Sequence, residues 1–229
     1  MGSVTTSLTT FDPVAIERNA QMLLNRVVDA GGDLAHVRLM AVTKAFDAGA
    51  PNAAAAAGLI LFGESYVQEF VAKLEATTEA ASAAEWHFIG RLQRNKVRHL
   101  PECVSVIQSV DRESLAVEIA KRRPGQTVYI QANLGDEPQK GGCPVDGVAD
   151  LVDRCRALGL TVDGVMGVAE QAHADVVLRQ YQTLASVADE LELRERSMGM
   201  TGDLDAAVAA GSTMVRIGTA LFGSRPARP

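Results

Sequence analysis

Leu39-Met40-Ala41-Val42-Thr43-Lys44 is the stretch whose reading decides the fold. An apolar run closed by a threonine and a lysine reads as a short, fully buried strand. A lysine at the far end of that strand stands at the carboxyl edge of a sheet, where α/β folds collect their functional groups. In an apolar, partly desolvated setting its amine loses a proton readily and can attack an aldehyde, giving a Schiff base. On position alone a strand-end lysine that simply reaches water fits as well, so the rest of the chain has to decide.

Working outward, a rhythm of short apolar runs and helical stretches emerges. Upstream, Asp12 to Ala30 has helical periodicity, with Asp12-Pro13 as N-cap and first-turn proline and Gly31-Gly32 as its end. Downstream, an alanine-rich helix over Asn52–Ala57 leads to a second apolar run, Leu59–Gly63, and a helix from Tyr66 to about Ala84. Trp86–Gly90 is the third run, followed by a basic helix over Gln93–Leu100. The fourth run is Val104–Val110, with a helix from Arg112 to Arg122, and the fifth is Thr127–Asn133, with a helix over Val145–Leu158. Thr161–Gly167, Arg196–Met200 and Thr213–Gly218 complete the set, the intervening helices falling at Ala174–Leu191 and Asp203–Ala210. Eight runs alternating with helices and no linker predict a single (β/α)8 barrel of the TIM type over residues 12–229. The alternative, an open doubly wound sheet, calls for a glycine-rich turn after the first strand, and Lys44-Ala45-Phe46-Asp47 is not one.

Residues 1–11 read as a flexible, polar tail; Met1-Gly2-Ser3-Val4-Thr5-Thr6 fits the permissive myristoylation pattern, but a frayed tail is the plainer reading. With 47% hydrophobic and 22% charged residues the chain has the composition of a soluble globular protein. A net charge of -6 argues against nucleic-acid wrapping, the basic block Arg91–Arg98 being local. No run reaches the length of a membrane span, so no membrane partner is expected. Cys103, Cys143 and Cys155 form no CxxC pair and suit reduced thiols in a cytoplasmic protein.

A barrel of this kind often builds a phosphate site at the ends of its last two strands. Met200-Thr201-Gly202-Asp203 and Arg216-Ile217-Gly218-Thr219 occupy those ends, offering two hydroxyls and outward backbone N–H groups. An N-cap and an ordinary turn would leave the same pattern. Asp203 is an awkward neighbour for a phosphate. His87, inside an apolar run, reads as a satisfied core histidine, and the four histidines have no metal-ligand spacing. The loop Gly135–Gly142 lacks the GK[ST] arrangement of a nucleotide P-loop.

Seven segments then fall into a known order. They are Met40–Lys44, Phe62–Glu69, Trp86–Lys96, Lys140–Cys143, Gly164–Gly167, Ser197–Asp203 and Val215–Thr219. In these the chain resembles the pyridoxal phosphate homeostasis proteins, whose barrel is similar to the amino-terminal domain of alanine racemase. The resemblance implies that Lys44 forms a Schiff base with pyridoxal 5'-phosphate (PLP). It further implies that Thr201, Gly218 and Thr219 hold the phosphate and that Arg216 faces the pyridine nitrogen. The family usually has asparagine where this chain has Ser65 and serine where it has Gly141.

Arginine cannot give up a proton to the ring nitrogen, so carbanion chemistry would be weakly supported. The chain ends at Pro229, and the β-rich second domain that supplies a racemase's other acid/base group is not expected. The implied function is a cytoplasmic, monomeric carrier of PLP without robust turnover. Its partners would be PLP itself and PLP-dependent apo-enzymes or free amino acids. A racemase of low activity and a Schiff-base aldolase acting on a phosphorylated sugar are the competing readings.

Overall fold

The protein's structure, a computed structural model, describes residues 9–135, 137 and 140–224. Its strands are β1 (Arg38–Val42), β2 (Leu61–Glu64), β3 (Glu85–Phe88), β4 (Val104–Val110), β5 (Thr127–Asn133), β6 (Cys143–Pro144), β7 (Thr161–Val168), β8 (Glu195–Ser197) and β9 (Met214–Ile217). Every pairing is parallel, and the order β1-β2-β3-β4-β5-β7-β8-β9 returns to β1, closing a barrel. The unforeseen β6 is a two-residue piece that pairs with β5 alone. The expected (β/α)8 barrel is therefore the fold.

Parity along each strand separates two cores, because successive side chains point to opposite faces. Met40, Val42, Leu61, Val106, Tyr129, Met166 and Met214 fill the barrel interior. Ala41, Phe62, Trp86, Ile107, Val128, Val165, Val215 and Ile217 face outward under the helices. α1 (Pro13–Asp29) follows the expected start: the Asp12 side chain accepts from the Val14 N–H at 3.0 Å, and Pro13 opens the first turn. Its buried stripe, Ile16, Ala20, Leu23 and Val27, has the i, i+4, i+7 spacing of one helix face. The remaining helices are α2 (Gly49–Ala56), α3 (Val67–Leu74), α4 (Glu79–Ser82), α5 (Glu113–Arg122), α6 (Val148–Ala157), α7 (Ala174–Glu190), α8 (Leu204–Ala209) and α9 (Thr219–Phe222).

Several expectations need correction. The helix expected over Tyr66–Ala84 is two helices, α3 and α4. The second starts anew because the Thr78 hydroxyl caps it, accepting from the Ala81 N–H at 3.3 Å. The basic segment is a 3-10 helix over Arg94–His99; four cationic or imidazole side chains on so short a run oppose a longer α-helix. The seventh run ends at Ser197 rather than Met200, since Gly199 takes φ +92° and turns the chain out of the sheet. Residues 1–8 of the expected tail lie outside the described residues, but Thr9 to Phe11 are docked. Thr9 donates through both its N–H and its hydroxyl to Asp47, at 2.7 Å each. Phe11 packs edge-on against Phe46 and Phe222, with ring centres 5.6 and 5.9 Å away, and Phe46 and Phe222 themselves lie 5.3 Å apart.

Trp86 is fully buried between Phe62 and Phe70, at 4.9 Å from each ring, and its indole N–H donates to the Ala81 carbonyl at 3.0 Å. Trp86→Ala removes both the stacking and the volume, so an unfolding free energy lower by roughly 3–5 kcal/mol is expected. Urea denaturation followed by circular dichroism measures it, because Trp86 is the only tryptophan. A loss of under about 1 kcal/mol would mean that the outer core repacks around the gap.

Candidate functional site

The three segments singled out at the sequence level emerge from strands that are neighbours in the ring. β9 pairs with β1, Met40 opposite Arg216 and Ala41 opposite Ile217, and β8 pairs with β9 on its other side. Lys44, Thr201 and the Gly218-Thr219 pair are thereby gathered at one sector of the carboxyl mouth. Lys44 itself is in the turn after β1 and half-buried. Gly218 is buried, Thr201 half-buried and Thr219 exposed.

The turn that carries Lys44 is gripped from behind by charges that sequence reasoning passed over. Lys73, on α3 and almost wholly buried, donates to the Thr43 carbonyl at 2.7 Å and pairs with the buried carboxylate of Glu64. The Thr43 hydroxyl donates to the same Glu64 oxygen at 2.7 Å. Glu69 lies 3.4 Å from Lys73 and accepts the N–H of Ala45. Ala45 has φ +64°, a left-handed conformation that an alanine adopts only when its surroundings impose it. Thr43 and Ala45, on either side of Lys44, are both held by this cluster. Burial pushes the Glu64 carboxyl above its usual range despite the opposing pull of Lys73. The spacing Glu69–Lys73, i to i+4 on one helix, was the available signal.

Arg216 is the second buried charge. Its guanidinium donates to the Ser197 carbonyl, to the Ser197 hydroxyl at 2.8 Å and to the Gly167 carbonyl at 2.8 Å. All three acceptors are neutral, and no described carboxylate forms an ion pair with it. Burial lowers its pKa, while the more distant Tyr181 and Asp203 act the other way. An interior cation satisfied only by neutral oxygens leaves a positive potential at the mouth, suited to an anionic or electron-rich ligand. Asp203 does not compete for it: its carboxylate is folded back, accepting the Met200 N–H at 2.6 Å and the Tyr181 hydroxyl at 2.7 Å.

His87 is buried and bonded at both ring nitrogens, to Glu85 at 2.6 Å and to Gln108 at 2.7 Å, as expected of a core histidine. Gly141, where the resembled family has serine, adopts φ +70° beside Asp111 and Gln131. Ser65 is half-buried, its N–H donating to Glu64 at 3.3 Å. A cavity of about 850 Å³ opens beside the mouth, lined in part by Lys140, Val168, Met200, Gly202 and Asp203. It borders the Thr201 turn without including Lys44 or Arg216 in its wall. Among the described residues no cluster of His, Cys, Asp or Glu could hold a metal ion, and no helix is long and apolar enough to cross a membrane.

Two outcomes follow from these charges. Lys73→Met strands the Glu64 carboxylate in the core, and the apo protein should lose roughly 3–5 kcal/mol in urea unfolding. The double variant Lys73→Met, Glu64→Leu should recover most of that loss; if it does not, packing rather than charge is what Lys73 supplies. The acid response has a definite sign. Burial holds the His87 imidazole below its ordinary range, and the hydrogen bond from His87, with help from Arg38, holds Glu85 down at about 2. Both groups bind fewer protons folded than unfolded, so their contribution is full above the ordinary imidazole range and declines as pH falls. The urea midpoint should drop between about pH 7 and about pH 5, and His87→Gln should flatten that part of the curve.

Comparison with known proteins matches this geometry to a lineage. The alanine racemase N-terminal domain model matches residues 11–226. The pyridoxal phosphate homeostasis protein of Vibrio alginolyticus is 39% identical over 202 residues, covering 82% of this chain and 87% of that protein. A protein of unknown function from Bifidobacterium adolescentis superposes with a TM-score of 0.86 at 31% identity, over 94% of this chain and 98% of its own. PipY of Synechococcus elongatus, solved with PLP bound, gives a TM-score of 0.75 at 30% identity, over 91% of this chain and all of that one. Sequence and barrel agree over nearly the same span, and this chain belongs to the pyridoxal phosphate homeostasis protein family.

Proposed function

We propose that this chain binds PLP through a Schiff base on Lys44 and serves in PLP homeostasis, as a carrier of the cofactor rather than a catalyst of robust turnover. The observation that carries the reading is the convergence of a clamped lysine and a buried, carboxylate-free guanidinium on one sector of the barrel mouth. The residues fit the group. Lys44 supplies the amine for the aldehyde, Thr201, Thr219 and the Gly218 backbone supply donors for a phosphate, and Arg216 supplies a fixed donor for the ring nitrogen. The glycine at 218 leaves its N–H open to close approach by an anion.

Bound in this way, PLP supplies an electrophilic carbon and an electron sink. What the protein does with that sink is decided by Arg216. A guanidinium donates a hydrogen bond to the ring nitrogen but gives up no proton, so the sink stays weak. Arg216 therefore favours holding the aldehyde over activating an amino acid's α-carbon. Holding a reactive aldehyde reversibly keeps its free level low and leaves it available to PLP-dependent apo-enzymes. A monomeric, cytoplasmic carrier is the form we propose.

Borohydride reduction of the PLP-loaded protein should fix the cofactor to the peptide containing Lys44; fixation on Lys96 or Lys140, or none, would overturn the assignment. Pyridoxal should bind far more weakly than its phosphate, since charge-assisted bonds at Thr201, Gly218 and Thr219 are lost. Equal affinities in a titration would misplace the phosphate site. Prolonged incubation with L-alanine, read by chiral chromatography, should yield no appreciable D-alanine; rapid formation that disappears in Lys44→Ala would make the protein a racemase.

A further inference from the structure

The barrel interior contains a continuous file of polar side chains joining its two ends. Arg216 donates to the Ser197 hydroxyl at 2.8 Å, and that hydroxyl donates to the Gln108 side-chain oxygen at 2.7 Å. The Gln108 amide nitrogen lies 2.7 Å from His87 Nδ1, and His87 Nε2 lies 2.6 Å from Glu85 Oε1. Arg38 donates to the other Glu85 oxygen and closes the file at the amino end of the barrel. Gln108, His87 and Ser197 are all fully buried.

The proton direction at every link is fixed by the two ends. Glu85, held ionised, accepts only, so His87 Nε2 carries the hydrogen. Burial keeps the imidazole neutral, so Nδ1 is bare and takes a hydrogen from the Gln108 amide. The second amide hydrogen of Gln108 is directed at the Met214 sulfur, 3.2 Å away. The Gln108 oxygen must then accept from Ser197, and the Ser197 oxygen from Arg216. Each member donates toward Glu85, from guanidinium to carboxylate, and links aligned in one direction polarise one another.

We propose that Gln108 and His87 are positioning residues for the bound cofactor, acting through Ser197 to fix the Arg216 guanidinium against the ring nitrogen. The inference rests on the assignment of Arg216 and Lys44 made above. Neither Gln108 nor His87 touches the ligand. A polar file through a barrel core needs a purpose, because an apolar filling of equal volume would stabilise the fold as well or better. Its effect is to tie the buried Arg216 guanidinium to an ion pair at the far end, holding its position without neutralising it. The charged and titratable groups around His87 are Glu85, Arg38 and Glu195, with Tyr129 packed edge-on at 6.1 Å. Those near Arg216 are Tyr181 and Asp203, and those behind Lys44 are Lys73, Glu64 and Glu69.

The test is the pH titration of the visible band of PLP-loaded protein in the wild type, Gln108→Leu, His87→Leu and His87→Gln. A guanidinium held at the ring lowers the basicity of the Schiff-base nitrogen. Breaking the file should therefore raise the titration midpoint by about 0.5 unit or more in Gln108→Leu and His87→Leu. His87→Gln, which can donate to Glu85 and accept from Gln108, should titrate close to the wild type. A purely structural role would change melting temperatures and leave the midpoints together.

A wild-type band fixed to Lys44 by borohydride, with all variants at the wild-type midpoint or below it, overturns this inference and leaves the binding reading standing. A wild type with no band fixable at Lys44 overturns both. Should the leucine variants fail to fold, the imidazole nitrogens of His87 in the unmutated protein answer the same question by NMR. Their resonances should move on PLP loading, and unmoved resonances overturn the proposal.

Discussion

Closure of the parallel ring through β1 is the constraint on which everything else depends. β1 is hydrogen-bonded on both sides, to β2 and to β9, so neither its register nor its facing can slip without opening the barrel. Parity then sends Met40 and Val42 inward, and the chain leaves the strand there for the turn that carries Lys44. The same pairing sets Arg216 opposite Met40, inside the barrel. One register thus sets Arg216 beside the strand that leads into the Lys44 turn, although the two lie far apart in sequence. No separate device is needed to bring them together.

The strand-and-helix rhythm was legible because it is a pattern of burial, and burial is what hydrophobic spacing records. β4 and β5 fall where the apolar runs place them, and α7 and α1 within a residue or two. Errors arose where local chemistry overrides spacing: the threonine cap that begins α4, the glycine turn after Ser197, the crowded cations of Arg94–His99. Candidate site residues were picked out to the extent that they lie at strand ends. Lys44 and Arg216 stood out, and the family resemblance supplied their roles. Glu64, Lys73 and Gln108 did not: Glu64 and Lys73 meet from a strand and the following helix only nine positions apart, and Gln108 is a polar residue in an apolar run whose partner is far away in sequence. Gln108 meets Ser197 across 89 positions, and no periodicity encodes such a meeting.

Both interior charges obey one rule by different routes. Lys73 is neutralised directly by Glu64, and the pair holds backbone in place. Arg216 is left without a carboxylate and is satisfied by neutral oxygens instead. Removing a cation from water costs several kcal/mol unless it is hydrogen-bonded, and both are. The difference lies in what remains outside the pair. Around Lys73 nothing is left for a ligand, whereas Arg216 retains its field toward the mouth.

The packing of Phe11, Phe46 and Phe222 bears on how such a sequence drifts. Phe46 follows the turn of Lys44, Phe222 ends the short helix begun at Thr219, and Phe11 covers both from the chain's entry into α1. Three rings in mutual contact couple energetically, so the effect of altering one depends on the other two. Replacements at these positions are then epistatic: a smaller ring at one is tolerated only after a larger side chain has appeared at another. Lineages of this barrel can be expected to change the trio in concert, with the lysine turn and the last helix as the elements that suffer when one position moves alone.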